Sequence, residues 1–293
     1  MLNYRMFIKL ARPLQVLLSA LTYILGAGIS RYLGHPVNAA AFGLGLLSIV
    51  AIEIAAFWLV EYFRLPLTPL AKEESPRHRE ELRIRLFQSA MAFLTVAGAS
   101  IVALLLARLL PVPAGILMGL IIVFFIAYSV PPMQIAETGY GELAFAIALG
   151  TLFPALAFLL QYGEFHRLLT FATFPLTLLA LTYLLVNDFP SFATDLKYER
   201  HTLLTRLTWQ HAIPIHHLLV LVSFLFFAIA PFMGFPWGLV WPVFLALPFA
   251  VFQIVWLQRI AMGGSTVWKL LKGLSIATFG LTAYLLAFTF WIR

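Results

Sequence analysis

Long apolar stretches alternate with short polar ones along the whole chain. Nine of the apolar stretches are about as long as the 20 residues that a helix needs to cross a membrane, a length typical of spanning helices. They lie at 14–33, 38–60, 87–107, 111–130, 143–161, 168–187, 210–231, 236–257 and 269–291. Turns that contain Gly or Pro join several of them, such as Gly234-Phe235-Pro236. The pattern predicts an all-α polytopic membrane protein whose residues 1–293 form a single membrane domain.

Composition and charge agree with this prediction. The chain is 62% hydrophobic and 11% charged, has a mean hydropathy of +0.96, and contains no cysteine for a disulfide or a thiolate metal site. Most basic residues fall on the side of the membrane that holds the N-terminus. The other side keeps four of the 19, namely Arg31, Arg108, Arg167 and Arg293. We therefore expect an integral protein of a bacterial inner membrane, with a cytoplasmic N-terminus and no nucleic acid partner.

Two polar inserts, 61–86 and 188–209, fall on the same predicted side, after the second and the sixth span. This spacing predicts two four-helix halves, about 1–130 and 131–260, followed by a final helix at 269–291. Each half would then contribute one acidic insert to a shared site.

The second insert carries the residues of a metal–diphosphate site. It begins with Asn187-Asp188-Phe189-Pro190, continues with Asp195, and then contains Lys197 and Arg200. Carboxylates bind Mg²⁺, the metal bridges phosphate oxygens, and basic side chains take up the remaining phosphate charge. The insert therefore favours binding of a diphosphate at the membrane surface.

These motifs resemble those of the UbiA superfamily of intramembrane prenyltransferases. Asn187 to Asp195 with Thr202-Leu203 and Arg206-Leu207 is similar to the family's second aspartate-rich segment. Tyr128-Ser129-Val130-Pro131-Pro132 with Gly139-Tyr140-Gly141-Glu142 is similar to a loop of the 1,4-dihydroxy-2-naphthoate (menaquinone-pathway) branch, and Ala11-Arg12-Pro13 to its first helix entry.

The resemblance implies a ring of nine helices around a central cavity that is open to lipid. In that cavity an aromatic acceptor would be alkylated by a polyprenyl diphosphate bound through Mg²⁺. The implied catalytic residues and metal ligands are Glu61, Asp188 and Asp195. The implied diphosphate-binding residues are Arg12, Arg64, Lys197 and Arg200. The implied acceptor or cavity residues are Glu53, Tyr128, Glu142 and Asn187.

The departures from the family pattern lie at the charged positions. In the first aspartate motif, which falls on 60–68, only Glu61 is acidic, and Arg64 stands where a metal ligand is expected. The second motif has Ser191 in place of one aspartate, and the usual Lys and Arg of the Pro-Pro loop fall on Ala136 and Thr138. An arginine about 4 Å from a metal opposes it by about 4 kcal/mol per unit charge at an effective dielectric near 20. We therefore predict an ion pair of Arg64 with the acids in place of a metal.

Several residues and segments have two interpretations. Glu53, in mid-span, either faces the cavity or forms a hydrogen bond between helices, and Glu142 is either an acceptor-side base or an interfacial cap. The charged run 72–85 predicts an amphipathic helix on the membrane surface, and His211, His216 and His217 indicate packing rather than a metal site.

Three classes of function follow. The first is an active aromatic prenyltransferase that uses Mg²⁺. The second is a UbiA-fold protein with weakened or lost catalysis and no required cofactor. It would hold lipid, an isoprenoid, a quinone or a prenylated pigment, as a subunit of a larger membrane complex. The third, a transporter, has only Glu53 in its support. Because charges are lost on both the metal side and the phosphate side, the sequence favours the second class.

Overall fold

A computed structural model describes the backbone of residues 4–64 and 76–293, and the side chains of 7–64 and 79–293. The described chain is helical, and its one β-type pairing joins Thr138 to His201. The helices are α1 (Tyr4–Leu10), α2 (Pro13–Tyr32), α3 (Ala39–Arg64), α4 (Pro76–Leu106), α5 (Val112–Ser129), α6 (Gly141–Ile147), α7 (Phe153–Tyr162), α8 (Arg167–Asp188), α9 (Phe192–Lys197), α10 (Leu203–Ile229), α11 (Trp237–Val240), α12 (Leu247–Ala261) and α13 (Trp268–Ile292).

Nine helical segments in the described chain are long and apolar enough to cross a membrane, which confirms the predicted number. Short irregular turns join some helices into one span: a π-helical turn, 148–152, links α6 to α7, and Phe189–Ser191 links α8 to α9. Pro190 causes the second break, because proline removes a backbone donor and clashes with the preceding turn.

One predicted boundary is wrong. The charged run was expected to form its own surface helix, but residues from Pro76 onwards continue without interruption into α4 and the third span. Pro76 is at the first helical position, where its fixed φ and missing N–H are tolerated, and no further proline follows before the span. The remainder of the run, 72–75, lies outside the described residues, as do positions 65–68 of the first motif.

The helices close into a ring. Along the chain α2 packs on α3, α3 on α4 and α5, α8 on α10, and α12 on α13. The last helix, α13, returns to pack on α2 and α8. The predicted fold class, an all-helical membrane protein built as a ring of nine spans, is confirmed.

A buried polar contact joins α10 to α12. His216 is fully buried, and the Gln253 side-chain amide donates to its Nε2 over 2.7 Å. The neighbouring His217 contacts His216 through the two Nδ1 atoms, 3.2 Å apart. His216 and His217 therefore help to pack α10 against α12, which is the packing role that the sequence indicated.

Candidate functional site

The break between α1 and α2 brings Arg12 to the end of the ring. Pro13 disfavours helical backbone at the residue before it, and Arg12 adopts a left-handed conformation with φ 50°. Its guanidinium lies 4.8 Å from the centre of the Phe57 ring, and its Nη2 lies 3.6 Å from Glu61 Oε1. Arg12 thus contacts the acid that ends the second span.

Glu61 is a buried carboxylate between two arginines. Arg64, one turn later on α3, donates from Nε to Glu61 Oε2 over 3.1 Å and also contacts that oxygen through Nη2. The Glu61 side chain is only 4% exposed, so the pair is largely removed from water. The predicted ion pair of Arg64 is confirmed.

The second insert builds a similar arrangement around Asp195. The buried Asp195 side chain accepts from Ser191 Oγ over 2.7 Å, and its Oδ1 lies 3.6 Å from Arg200 Nη1. The backbone N–H of Arg200 donates to the Asp195 carbonyl, which fixes the loop that carries the arginine. Arg200 Nε also lies 3.8 Å from Glu137 Oε2, so Arg200 forms ion pairs with acids from two segments of the chain, Asp195 and Glu137.

Glu142 fixes the loop before α6 against the start of α10. Its Oε2 accepts the backbone N–H of Leu203 over 3.0 Å, and a carboxylate there also complements the positive end of the helix dipole. Arg206 supports the same contact by donating from Nε to the Thr138 carbonyl over 2.8 Å. Of the two roles predicted for Glu142, this geometry supports the cap.

A small polar cavity of about 50 Å³, which is room for a few water molecules, is lined by Arg12, Glu142 and Arg200 but not by Glu61, Arg64 or Asp195. Two carboxyl oxygens beside it, Asp188 Oδ2 and Glu137 Oε1, are buried and have no hydrogen-bond partner among the described residues. The polar side chains that line the cavity are Arg12, Gln15, Tyr128, Glu137, Glu142, Asn187, Asp188 and Arg200.

Charges from both inserts act on one another. Burial raises the pKa of Glu137 above its ordinary value, although nearby Arg200 and Arg64 oppose the shift. Burial lowers the pKa of Arg200, but Glu137 and Asp195 outweigh it, and the net shift is upward. Glu61 contributes to both shifts, so the end of α3 and the second insert meet on one side of the ring.

The described donors do not fit a magnesium site. Mg²⁺ needs near-octahedral oxygen ligation, normally with more than one free carboxylate. Within the described part of the chain, no three His, Asp or Glu side chains are grouped so that they could hold a metal. Of the three predicted ligands, Glu61 and Asp195 are paired with arginines, and only Asp188 has an unpaired oxygen.

The other predicted site residues divide into two groups. Tyr128 and Asn187 line the cavity. Lys197 is exposed and lies over the Tyr198 ring, and no described acid is within ion-pair distance of it. Glu53 does not line the cavity: it is fully buried and accepts from Ser19 Oγ over 2.9 Å, a contact between α3 and α2. The sequence prediction missed Glu137. A signal was present, because Glu137 lies between Ala136 and Thr138, the two positions where the family's usual Lys and Arg are replaced.

The fold and the site define a class of protein. The nine apolar helical segments found among the described residues close into a ring, and three arginines gather with buried carboxylates at one of its ends. The model of the UbiA prenyltransferase family matches residues 77–276, more than half of the chain. The chain belongs to the UbiA prenyltransferase family.

Solved structures show the same fold. A UbiA homologue from Archaeoglobus fulgidus bound to GPP and Mg²⁺ is 16% identical, with a TM-score of 0.62 over 98% of this chain and 99% of that chain. The same homologue bound to DMAPP and Mg²⁺ is 17% identical, with a TM-score of 0.65 and the same coverage. An apo UbiA homologue from Aeropyrum pernix K1 is 16% identical, with a TM-score of 0.62 over 91% and 96% of the two chains. A search of curated proteins gives no match.

Proposed function

We propose that this UbiA-family protein binds an isoprenoid ligand in the membrane and has weakened or lost prenyl transfer. The observation that carries the proposal is the pairing of Glu61 with Arg64 and Arg12 where the family resemblance implies a metal ligand. Asp195 is paired with Arg200 in the same way. These two acids are thus neutralised by the chain itself.

The charge balance explains why transfer would be weak. Ionisation of an allylic diphosphate needs strong stabilisation of the leaving group, usually the largest single contribution to such catalysis. A divalent cation beside Glu61 would be opposed by an arginine at contact distance, at about 4 kcal/mol per unit charge for an effective dielectric near 20. Arginine can bind phosphate directly, but it does not replace a bridging metal ion.

We infer the class of ligand from the residues that line the cavities. An apolar pocket of about 300 Å³ lies between α3, α4 and α5, and its lining includes Ile52, Leu94 and Phe125. Residues of α3 and α5 line this pocket and the polar cavity, although the two spaces share no lining residue. The UbiA homologue from Archaeoglobus fulgidus has been solved with GPP and with DMAPP, which are prenyl diphosphates. A quinone or a prenylated pigment belongs to this proposal, because its apolar tail suits the apolar pocket. A role within a larger membrane complex belongs to the same proposal.

A second candidate function is an active prenyltransferase that acts on 1,4-dihydroxy-2-naphthoate, as in the menaquinone branch. One observation favours it: the cavity holds unpaired oxygens of Asp188 and Glu137 together with the guanidinium groups of Arg12 and Arg200. Cations of this kind can hold a diphosphate directly. The two unpaired oxygens are fewer than the ligands that Mg²⁺ normally takes, so this function would need further ligands from the diphosphate itself.

An assay with the purified full chain in lipid nanodiscs separates the two functions. With GPP and 1,4-dihydroxy-2-naphthoate, the first proposal predicts no prenylated product with or without Mg²⁺. Binding of Mn²⁺, measured by electron paramagnetic resonance, should be weak and should tighten about tenfold or more in Arg64→Gln, which removes one opposing charge. Lys197→Gln is the matched control, because this exposed lysine lies away from the acids. Mg²⁺-dependent turnover that Asp195→Ala abolishes would establish the second function instead.

A further inference from the structure

A second apolar space lies beside the break between α1 and α2, where Ala11 and Pro13 line it and the intervening Arg12 belongs to the polar site. It is a groove of about 630 Å³ between α1, the start of α2, α3 and α4. Phe7, Leu17, Trp58, Ala92 and Phe93 are among the residues that line it. None of the residues that line this groove lines the polar cavity or the pocket between α3, α4 and α5. The groove is therefore a separate candidate binding surface.

Trp58 gives the groove a polar group. Its ring packs against Phe7, with centroids 4.8 Å apart, and against Phe93 at 5.0 Å. The residue is only 6% exposed, yet its indole Nε1 has no hydrogen-bond partner among the described residues. A buried indole N–H normally has an acceptor, because leaving a donor unpaired costs free energy. The groove thus lacks one acceptor in an otherwise apolar, aromatic surface.

The position of Trp58 along α3 indicates how deep in the membrane its hydrogen-bond acceptor lies. Trp58 precedes Arg64, the last residue of α3, by six residues, which corresponds to about 9 Å along the helix. A tryptophan near the end of a spanning helix lies at the boundary between hydrocarbon and head groups. Lipid ester carbonyls lie at this boundary, and they are acceptors that a plain hydrocarbon chain lacks.

Basic side chains lie nearer to the end of the helices. Arg85 is exposed and precedes Ser89, which lines the groove, by one helical turn on the same face of α4. Lys9 is exposed on α1, beside the groove residue Ile8. These cations are placed to attract an anionic head group, because each basic residue near a membrane surface raises the affinity about fivefold.

We propose that this groove binds one anionic glycerophospholipid from the leaflet on the side of the polar site. An acyl chain lies against Phe7, Trp58 and Phe93, an ester carbonyl accepts from Trp58 Nε1, and the head group lies near Arg85 and Lys9. An isoprenoid chain would fill the same apolar space but would offer no carbonyl to Trp58.

Native mass spectrometry of the delipidated full chain tests the proposal. Phosphatidylglycerol and phosphatidylcholine with identical acyl chains are titrated in detergent, with farnesol as the probe for a plain isoprenoid chain. The wild type should bind one phosphatidylglycerol saturably, in preference to the other two. Trp58→Phe keeps an aromatic ring but removes the N–H, and should weaken binding about fivefold, the effect of one lost hydrogen bond. Arg85→Gln should weaken binding of phosphatidylglycerol about fivefold and leave binding of phosphatidylcholine unchanged, with Lys9 keeping the remaining preference.

The matched control is Trp256→Phe. The Trp256 Nε1 also lacks a described partner, but the residue lies on α12, outside the groove, so lipid binding should not change. Ala92→Phe fills the groove from an exposed position and should abolish the saturable site without loss of folding. Equal binding by wild type, Trp58→Phe and Ala92→Phe would overturn the proposal, as would unsaturable binding that shows annular lipid only. Farnesol bound as tightly as phosphatidylglycerol would overturn it as well.

Discussion

At the scale of residues, the polar site is governed by the pairing of buried charges. Glu61, Glu137 and Asp195 are partly or fully buried, and each lies within 4 Å of an arginine nitrogen. A buried carboxylate without a partner would be strongly unfavourable, so either a metal or an arginine must compensate it. In this chain the arginines do so, and the compensation is present before any ligand binds.

The titration of Glu137 makes the stability of the folded protein depend on pH. Burial raises the pKa of Glu137 above its ordinary value of 4.5, so Glu137 takes up a proton more readily in the folded protein than in the unfolded chain. The folded state then binds more protons than the unfolded state, and the stability from Glu137 is full below pH 4.5 and is lost as the pH rises through the folded pKa. Glu137→Gln should therefore match the wild type near pH 4 and be the more stable protein at pH 7.

Thermal unfolding in detergent across this pH range measures the difference. Glu164→Gln, at an exposed position in the loop after α7, serves as the control and should follow the wild-type curve. A Glu137→Gln variant that loses stability relative to wild type as the pH rises would show that the ion pair with Arg200 outweighs burial.

Motif spacing predicted most of the site at this scale, since Glu61, Arg64, Asp195 and Arg200 lie together. Lys197 was expected beside them and is exposed instead. Residues two apart on a helix point about 200° away from each other, so a buried Asp195 directs Lys197 outward. Spacing along a sequence gives proximity, but the helix phase decides which neighbours reach the site.

At the scale of elements, small residues allow the helices to approach closely. Gly26 is buried in α2, and a Cβ atom there would overlap the backbone carbonyl of Pro154 in α7. We expect Gly26→Ala to destabilise the fold by about 1–3 kcal/mol, because the backbones must separate. Gly43→Ala is the control: it lies on the exposed face of α3 with no atom near a new Cβ, and should be neutral or slightly stabilising.

Comparison of thermal unfolding for the two alanine variants in the same detergent tests this prediction. Equal midpoints for Gly26→Ala and Gly43→Ala would mean that α2 and α7 do not depend on this close approach.

The sequence predicted the spans better than the helix ends. Hydropathy identifies the part of a helix inside hydrocarbon, but polar turns that extend beyond it carry no such signal, so α4 begins at Pro76 rather than near 87. The start of a helix can instead be recognised from its capping residues. Thr202 Oγ accepts from the Thr205 N–H over 3.2 Å, and Thr205 Oγ accepts from the Thr202 N–H over 2.8 Å, which fixes the start of α10.

At the scale of the whole molecule, the fold gathers its buried charges at one end of the ring and presents apolar surface around its sides. The end of α3, where the first insert begins, and the second insert meet at that end, as expected from their placement after the second and sixth spans. The division into two four-helix halves stays a prediction. Packing contacts join the two stretches, since α2 of the first packs on α7 of the second.

The direction in which the chain is inserted into the membrane can be tested by cysteine labelling, because the chain contains no cysteine of its own. The bias of basic residues predicts a cytoplasmic N-terminus, which with nine spans places the loop after α7 outside and the loop after α12 inside. A single cysteine at the exposed Phe165 should react with a membrane-impermeant maleimide in intact cells, whereas one at the exposed Thr266 should react only after permeabilisation. The reverse labelling would place the polar site outside, where a cytoplasmic prenyl diphosphate could not reach it, and both proposed functions would then need a ligand from the other side of the membrane.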